Sequence, residues 1–371
     1  MRSVTSYEFD RRRVLALGLG VAATAVVQPS WAAAPYPALD RPVLAVRAPE
    51  RTVLLSITQA ARRIVAVGER GIVVLSDDQG AHWRQAASVP ASVTLTAVRF
   101  VDAKHGWAVG HGGVILHSAD GGEHWERQAD GRSLAQVILR DAATGEGRPE
   151  QLRAAQQLVD DGPDKPLLDL HFFDRKRGFV VGAANLCFET QDGGRTWVSA
   201  AQRMDNPRAL HLYAVRADGE TLHIVGEQGL ILRSLDGGRT FERIKSPYNG
   251  SWFTLEVTRP GTIVAAGLRG NTFVSTDRGN NWVPVVGAPG ASVVGSAVAA
   301  NGALFLVTQS GQVLTQSAAG DSLRVLDAPP LPPLANVLPI SDGSLLTVGL
   351  AGIVRVPTGR SAGANAAGGV R

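Results

Sequence analysis

Short apolar runs bounded by Gly, Asp and Asn dominate the chain, as in Leu95-Thr96-Ala97-Val98-Arg99-Phe100, Gly106-Trp107-Ala108-Val109-Gly110 and Gly113-Val114-Ile115-Leu116-His117-Ser118. Runs of this length and content, closed by turn residues, predict β-strands in tight succession. Their order repeats. A strand ending in Val-Gly or similar is followed by a two-residue loop, a second strand, and then Ser/Thr-x-Asp-x-Gly-x-x-Trp/Phe. Five copies of that last element are complete: Ser76/Asp78/Gly80/Trp83, Ser118/Asp120/Gly122/Trp125, Thr190/Asp192/Gly194/Trp197, Ser234/Asp236/Gly238/Phe241 and Ser275/Asp277/Gly279/Trp282. One copy would be a weak signal; five at fixed spacing are a strong one.

Each residue of the element has a physical task. Ser or Thr and Asp accept hydrogen bonds from nearby backbone N–H groups and hold a turn. The Gly takes a backbone shape closed to other residues. The aromatic begins the next strand and packs beside the turn. The element is therefore a hairpin clip. Asp78, Asp120, Asp192, Asp236 and Asp277 are structural groups, engaged locally rather than catalytic.

The glycine that ends the preceding strand falls at Gly68, Gly110, Gly182, Gly226 and Gly267, and the series continues at Thr308 and Gly349. Five of the six spacings are 41 to 44 residues and one is 72. That period is the length of a four-stranded propeller blade, and the long spacing is one period plus an insertion. The sixth unit has lost its clip, with Gln316, Ala318, Gly320 and Leu323 at the four positions, and the seventh stops after its third strand at Ile353–Val356. The expected fold is an all-β, seven-bladed propeller over residues 35–356. Pro42-Val43-Leu44-Ala45-Val46 is expected to supply the outer strand of blade seven and so close the ring and cover an open edge. Residues 131–165 form the insertion between blades two and three. Leu152, Ala155 and Val159 recur there at helical spacing, and Gly162-Pro163-Asp164 ends the segment. The Gly/Ala-rich tail, 357–371, is expected to be disordered.

The N-terminus does not belong to this pattern. Arg11-Arg12-Arg13 precedes an uncharged apolar run, Ala16 to Val27, and then small residues at Ser30 and Ala32–Ala34. That order is a secretory signal over 1–34, and the paired Arg points to twin-arginine export to a bacterial periplasm. Cleavage after Ala32 places small residues at −3 and −1. The run is short for a membrane anchor, so no stable span is expected after cleavage.

Charge changes the picture little. The formal net charge is +4, and about +2 remains without the first 34 residues, which hold four Arg against two acids. No Lys/Arg cluster lies in the body of the chain, which argues against nucleic-acid binding. The single Cys187 sits in an apolar run and reads as a buried inert thiol, with no disulfide and no Cys-based metal site. No cofactor or metal motif is present.

Strand order divides the loops between two faces. The clips share one face with the turns that join first and second strands. The two-residue tips and the connectors between blades share the other, here called the top. The tips vary, as a recognition surface would, while the clip face repeats. The candidate partner-binding residues are Glu69, Arg70, His111, His211, Glu227, Tyr248, Trp252 and Arg269, with Tyr, Trp and Arg the types that dominate binding hot spots. Each loop also has a plain reading as a solvated tip, Trp252 one as a packing residue, and His171 and His211 one as satisfied structural histidines.

Asp-box propellers include sialidases, whose chemistry needs three arginines on a carboxylate, a Tyr–Glu nucleophile pair and an acidic acid/base group. Arg99, Arg216 and Arg259 recur near the ends of first strands, which assigns them to the clip face, away from the channel mouth where such sites lie. No Tyr–Glu pair can be placed. The chain therefore reads as a non-enzyme, with a carbohydrate-binding or sialidase-like glycosidase propeller as the alternative.

Several phrases are more specific than the clips: Lys165-Pro166-Leu167-Leu168-Asp169-Leu170-His171-Phe172, His211-Leu212-Tyr213-Ala214-Val215, Gly226-Glu227-Gln228-Gly229, Ser246-Pro247-Tyr248-Asn249-Gly250-Ser251-Trp252-Phe253 and Gly267-Leu268-Arg269-Gly270-Asn271. Over roughly residues 45–355 the chain resembles the photosystem II stability/assembly factor family of propellers, and among them the proteins of non-photosynthetic bacteria. In photosynthetic members the resemblance implies a lumenal chaperone that binds photosystem II subunits during assembly. Here it implies a monomeric periplasmic scaffold or assembly factor whose partner is a protein, in an envelope or membrane complex such as a transporter.

Overall fold

The computed structural model describes residues 36–144, 149–316 and 322–358. The export segment and the tail beyond Thr358 lie outside the described residues. Seven antiparallel sheets follow one another along the chain, six with four strands and the last with three. Blade two shows the plan: Leu95–Phe100, Gly106–Gly110, Ile115–Ser118 and Glu126–Ala129, from inside to outside. The innermost strands begin at Leu54, Leu95, Leu167, Leu212, Trp252, Val293 and Leu334 and pack against one another around a central channel. The seven-bladed propeller expected from the glycine series is the observed fold.

The first residue of every inner strand lies opposite the glycine, or Thr308, that defines the repeat, and a bulge follows in all seven pairs. A bulge bends the strand and re-aims the side chains beyond it. Between neighbouring blades lies an apolar cluster, seven in all. The clip aromatics serve these clusters. Trp125 joins the cluster between blades one and two, Trp197 that between two and three, and Phe241 that between three and four.

Clip geometry follows from its residue types. Ser234 Oγ donates to Asp236 Oδ1 at 2.7 Å and accepts from the Gly238 N–H at 2.8 Å. Asp236 Oδ1 also accepts from the Thr240 N–H, and Thr240 Oγ1 donates to Asp236 Oδ2. Gly238 has φ +91°, and a Cβ there would lie 2.3 Å from the Phe179 ring. Both conformation and space therefore demand glycine. The sixth unit's lost clip falls partly on 317–321, outside the described residues.

Ring closure differs from the expectation. Pro42–Val46 forms no strand of blade seven, whose outer strand, Gly352–Val356, has no fourth partner among the described residues. The segment lies beside blade one instead, with the Val43 N–H on the Val89 carbonyl at 3.0 Å and the Gln85 side chain bridging Val46 N and Leu44 O. Its upstream anchor explains this. Leu39 is fully buried among Val89, Ala91 and Val93, and the Ser92 N–H donates to the Ala38 carbonyl. Asp40 accepts from both Arg127 and Arg132. These contacts commit the strap to blades one and two. The strap meets the edge strand of blade seven at Pro49–Arg51, where Gly352, at φ +80°, meets the Glu50 carbonyl so closely that a Cβ would lie 2.0 Å from it.

The insertion holds two helices, α1 (Gly131–Thr144) and α2 (Pro149–Asp161), rather than one. Asp130 Oδ1 accepts from the Arg132 and Ser133 N–H groups, a side-chain N-cap that starts α1. The hairpin packs on the tip of blade two at His111–Gly113, on the top face. No helix among the described residues is long and apolar enough to cross a membrane.

Candidate functional site

The two-residue tips are built alike. Arg70, Ala184, Gln228 and Arg269 occupy corresponding positions, each with φ between 52° and 59°. Non-glycine residues in this left-handed region cost free energy and persist where the surroundings over-determine them. The surroundings here are the connectors to the next blade. The Gln228 N–H donates to Ser251 Oγ at 3.4 Å, and the Arg269 N–H to Ser292 Oγ at 3.2 Å. Arg269 thus stands on a tip tied to its connector, and the side chains of Arg70 and Arg269 are both exposed.

The expected contact residues do not form one cluster. Glu69, Arg70 and His111 are exposed on blades one and two. Glu69 and Arg70 border an apolar trough of about 830 Å³ between the strap and blades one and seven, lined by Pro42, Val43, Leu44 and Leu350. Leu44 is 79% exposed and Leu350 58%, so this trough faces solvent. His211 and Glu227 face each other on blade four, Nδ1 to Oε2 at 3.8 Å, and His211 Nδ1 accepts from the Ala184 N–H. Tyr248 is half-buried against Trp252. Trp252 itself is a correction. It is fully buried, donates from Nε1 to Ser246 Oγ at 3.2 Å and meets Phe273 edge to face. It begins the inner strand of blade five and packs in the apolar cluster shared with blade four, so it fills the core and presents nothing to a partner.

Sequence reasoning missed the channel. At the fourth residue beyond the first of each inner strand the ring reads Thr58, Arg99, His171, Arg216, Glu256, Ala297 and Leu338. The signal was present, as charged residues at one repeat position, but the bulge turns Arg99 and Arg216 into the channel at mid-depth rather than leaving them at the clip face. Arg216 is fully engaged. Its Nη1 donates to Asp169 Oδ2 at 2.6 Å and its Nη2 to Glu256 Oε1 at 3.3 Å. Burial acts against its charge, but the two carboxylates outweigh it and raise its pKa. His171 is driven the other way, down to about 4, by burial first and then by the Arg216 and Arg99 charges. It is neutral at pH 7, a structural histidine.

This arrangement does not assemble the three arginines of a sialidase. Arg259 is exposed and bonded to Thr262 Oγ1. Tyr213, Phe253 and Asp169 do line the same stretch of the upper channel, but the cavity there is about 90 Å³. Ligand pockets run to roughly 300–1,000 Å³. The clip carboxylates are held well below the usual range, by backbone N–H groups first in Asp236 and Asp277. They are anions fixed in turns. Burial pushes the Cys187 thiol up. Among the described residues no group of His, Cys, Asp or Glu side chains could hold a metal ion.

Residues 75–141 and 149–324 match the family described as the photosynthesis system II assembly factor YCF48. Among curated proteins, the photosystem II assembly lipoprotein Ycf48 of Synechococcus sp. (strain CC9902) is 26% identical over 117 residues, 31% of this chain and 35% of that protein. The chloroplastic photosystem II stability/assembly factor HCF136 of Arabidopsis thaliana is 27% identical over 134 residues, 32% of this chain and 31% of that protein. The alignments thus span about a third of these relatives' length. The solved structure of YCF48 bound to D1 peptide superposes with a TM-score of 0.59 at 15% identity, covering 87% of this chain and 98% of that one. YCF48 from Cyanidioschyzon merolae gives 0.60 at 14% identity, covering 84% and 97%.

Proposed function

The chain belongs to the photosynthesis system II assembly factor YCF48 family, and on that basis we propose that it is a non-catalytic, monomeric, protein-binding scaffold or assembly factor, exported to the periplasm by the twin-arginine route. Its partner is a subunit of an envelope or membrane complex, with transporters among the candidates. The observation that carries this reading is the build of the top face. Two exposed arginines, Arg70 and Arg269, are held on left-handed tips, and beside Arg70 lies the solvent-facing trough of Leu44 and Leu350. An apolar centre with a charged rim is the anatomy of a protein interface. The ready-made frame also lowers the ordering cost of binding. A structure of YCF48 bound to D1 peptide supports a protein ligand for this fold.

The test compares Arg70→Ala, Arg269→Ala and Leu44→Asp with Arg195→Ala, an exposed clip-face control. Cross-linked capture from periplasm with each variant measures partner retention. The top-face variants are expected to lose the partner recovered by the wild type, each by about 1 kcal/mol or more where the residue is a hot spot. Equal retention by all four variants would remove the top-face site. Loss in Arg195→Ala alone would move it to the clip face.

A further inference from the structure

The lower half of the channel holds an arginine whose hydrogen bonds are unspent. Arg99 and Arg216 occupy the same ring position in blades two and four. Arg216 donates to Asp169, Glu256 and the Val215 carbonyl. Arg99 is half-buried in the channel wall and makes no hydrogen bond or ion pair with any described residue; Asp169 and Glu256 act on it only at longer range. A guanidinium carries five N–H donors and cannot shed its proton. With no acceptor among the described residues and a cavity in front of it, the guanidinium has donors free for a ligand, and a charged hydrogen bond there is worth more than one in open water.

That cavity lies where such a ligand would sit. It has a volume of about 420 Å³ toward the clip face, and Arg99 lines it together with Thr58, Gln59, Glu256, Ala297 and Leu338. This volume is in the range of small-molecule pockets. The upper cavity, which Arg99 also lines, is far smaller, so access is from below. Thr58 and Gln59 add neutral donors beside the guanidinium, and Ala297 and Leu338 form an apolar wall. Asp169 and Glu256 bring two negative charges into the same layer, which disfavours a dianion over a monoanion.

We propose that the lower channel is a binding site for a small monocarboxylate, held by the Arg99 guanidinium with its apolar end toward Ala297 and Leu338. The planar fork of the guanidinium matches a carboxylate's two oxygens. The site lies on the clip-face side, separate from the top-face partner surface.

The probe is sodium acetate, compared with sodium chloride and sodium sulfate at equal ionic strength. A ligand that binds only the folded state raises the denaturation midpoint. Acetate is expected to raise the wild-type midpoint above both other salts, and saturation-transfer NMR is expected to detect acetate on the protein. Arg99→Met keeps the side chain's bulk and should weaken acetate about tenfold or more, the loss of a charged hydrogen-bonding partner. Arg259→Met, which changes an exposed clip-face arginine, should bind as the wild type does. Ala297→Phe fills the cavity from the opposite wall and should displace acetate with Arg99 intact, which keeps the test open if Arg99→Met does not fold. No acetate signal on the wild type, or undiminished binding in Ala297→Phe, would overturn the site. An equal response to sulfate would overturn its assignment to a monocarboxylate.

Discussion

Trp125 offers the sharpest test of how clips hold blades together. Its ring is 3% exposed, lies in the cluster between blades one and two, and meets Phe100 edge to face at 6.0 Å. Its Nε1 donates to the Gly122 carbonyl at 2.9 Å. Trp125→Ala should cost about 3–5 kcal/mol through lost burial and the cavity left behind. Set against a total of roughly 5–15 kcal/mol for a native protein, that is a large fraction. With an unfolding entropy of about 2.1 cal/mol/K per residue over roughly 320 residues, a 4 kcal/mol loss lowers the midpoint temperature by about 6 °C. Trp125→Phe keeps most of the ring but strands the Gly122 carbonyl, and should cost about 1–2 kcal/mol. Trp282 makes the matching bond to the Gly279 carbonyl at 3.1 Å but is only half-buried. Trp282→Ala should therefore cost less than Trp125→Ala. Urea titrations of the three variants, with slopes compared for two-state behaviour, give the numbers. Equal losses in the two alanine variants, or none in Trp125→Ala, would refute the idea that the clip aromatic acts by filling the inter-blade space.

Other expectations concern the channel and the strap. His171 has a folded pKa of about 4, below an ordinary value near 6.5, so its neutral form's contribution is whole above about 6.5 and is lost as pH falls toward 4. The shift corresponds to roughly 3 kcal/mol. His171→Gln should flatten the midpoint–pH curve in that window, though only in part, because burial pushes His117 and His223 the same way. An unchanged curve would mean that His171 is open to water. Asp40 is held down to about 2, first by its hydrogen bond to Arg132, so its ion pair is intact above pH 4 and is lost as pH falls through 2. Pepsin cleavage within residues 41–47 should rise across that fall, and a flat rate would deny the anchor. Leu39→Ala should cost about 2–5 kcal/mol and release the strap to protease at neutral pH; protection equal to the wild type would show that Leu39 is not the fastener.

Much of the propeller was legible because its devices are local. Ser234, Asp236, Gly238 and Thr240 find one another within four residues, so spacing alone identifies the turn. The inner strand Leu95–Phe100 and its neighbour Gly106–Gly110 could be read to the residue for the same reason. The path of Pro42–Val46 could not. A short apolar run reads alike beside blade one or blade seven, and the choice is made by Asp40 with Arg127 and Arg132, some ninety residues on. Helix α1 left a readable sign, Asp130 three residues before Ser133, that the helical spacing of Leu152 and Val159 overshadowed. The channel layer was half legible. Arg99 and Arg216 were visible as repeated charges, but their aim depends on a bulge, and the pairing of Arg216 with Asp169 and Glu256 depends on three blades meeting. Trp252 shows the reverse error, since an aromatic in a polar-looking connector reads as a contact until its burial is known.

The three-stranded last blade has a mechanical consequence. Among the described residues no strand of one end is woven into the sheet of the other, so the junction of blades seven and one rests mainly on side chains. These are the apolar cluster of Leu54, Ile57, Leu346 and Val348, the Ser341–Gln79 bond, and Arg355 on the Gln79 carbonyl. A pull applied between the strap and the end of Gly352–Val356 enters at blade one and leaves at the outer strand of blade seven. That edge strand is bonded to a single neighbour, Leu345–Gly349, so it peels away one residue pair at a time instead of shearing as a unit. Under tension the ring yields at blade seven first, while the six closed blades still carry load.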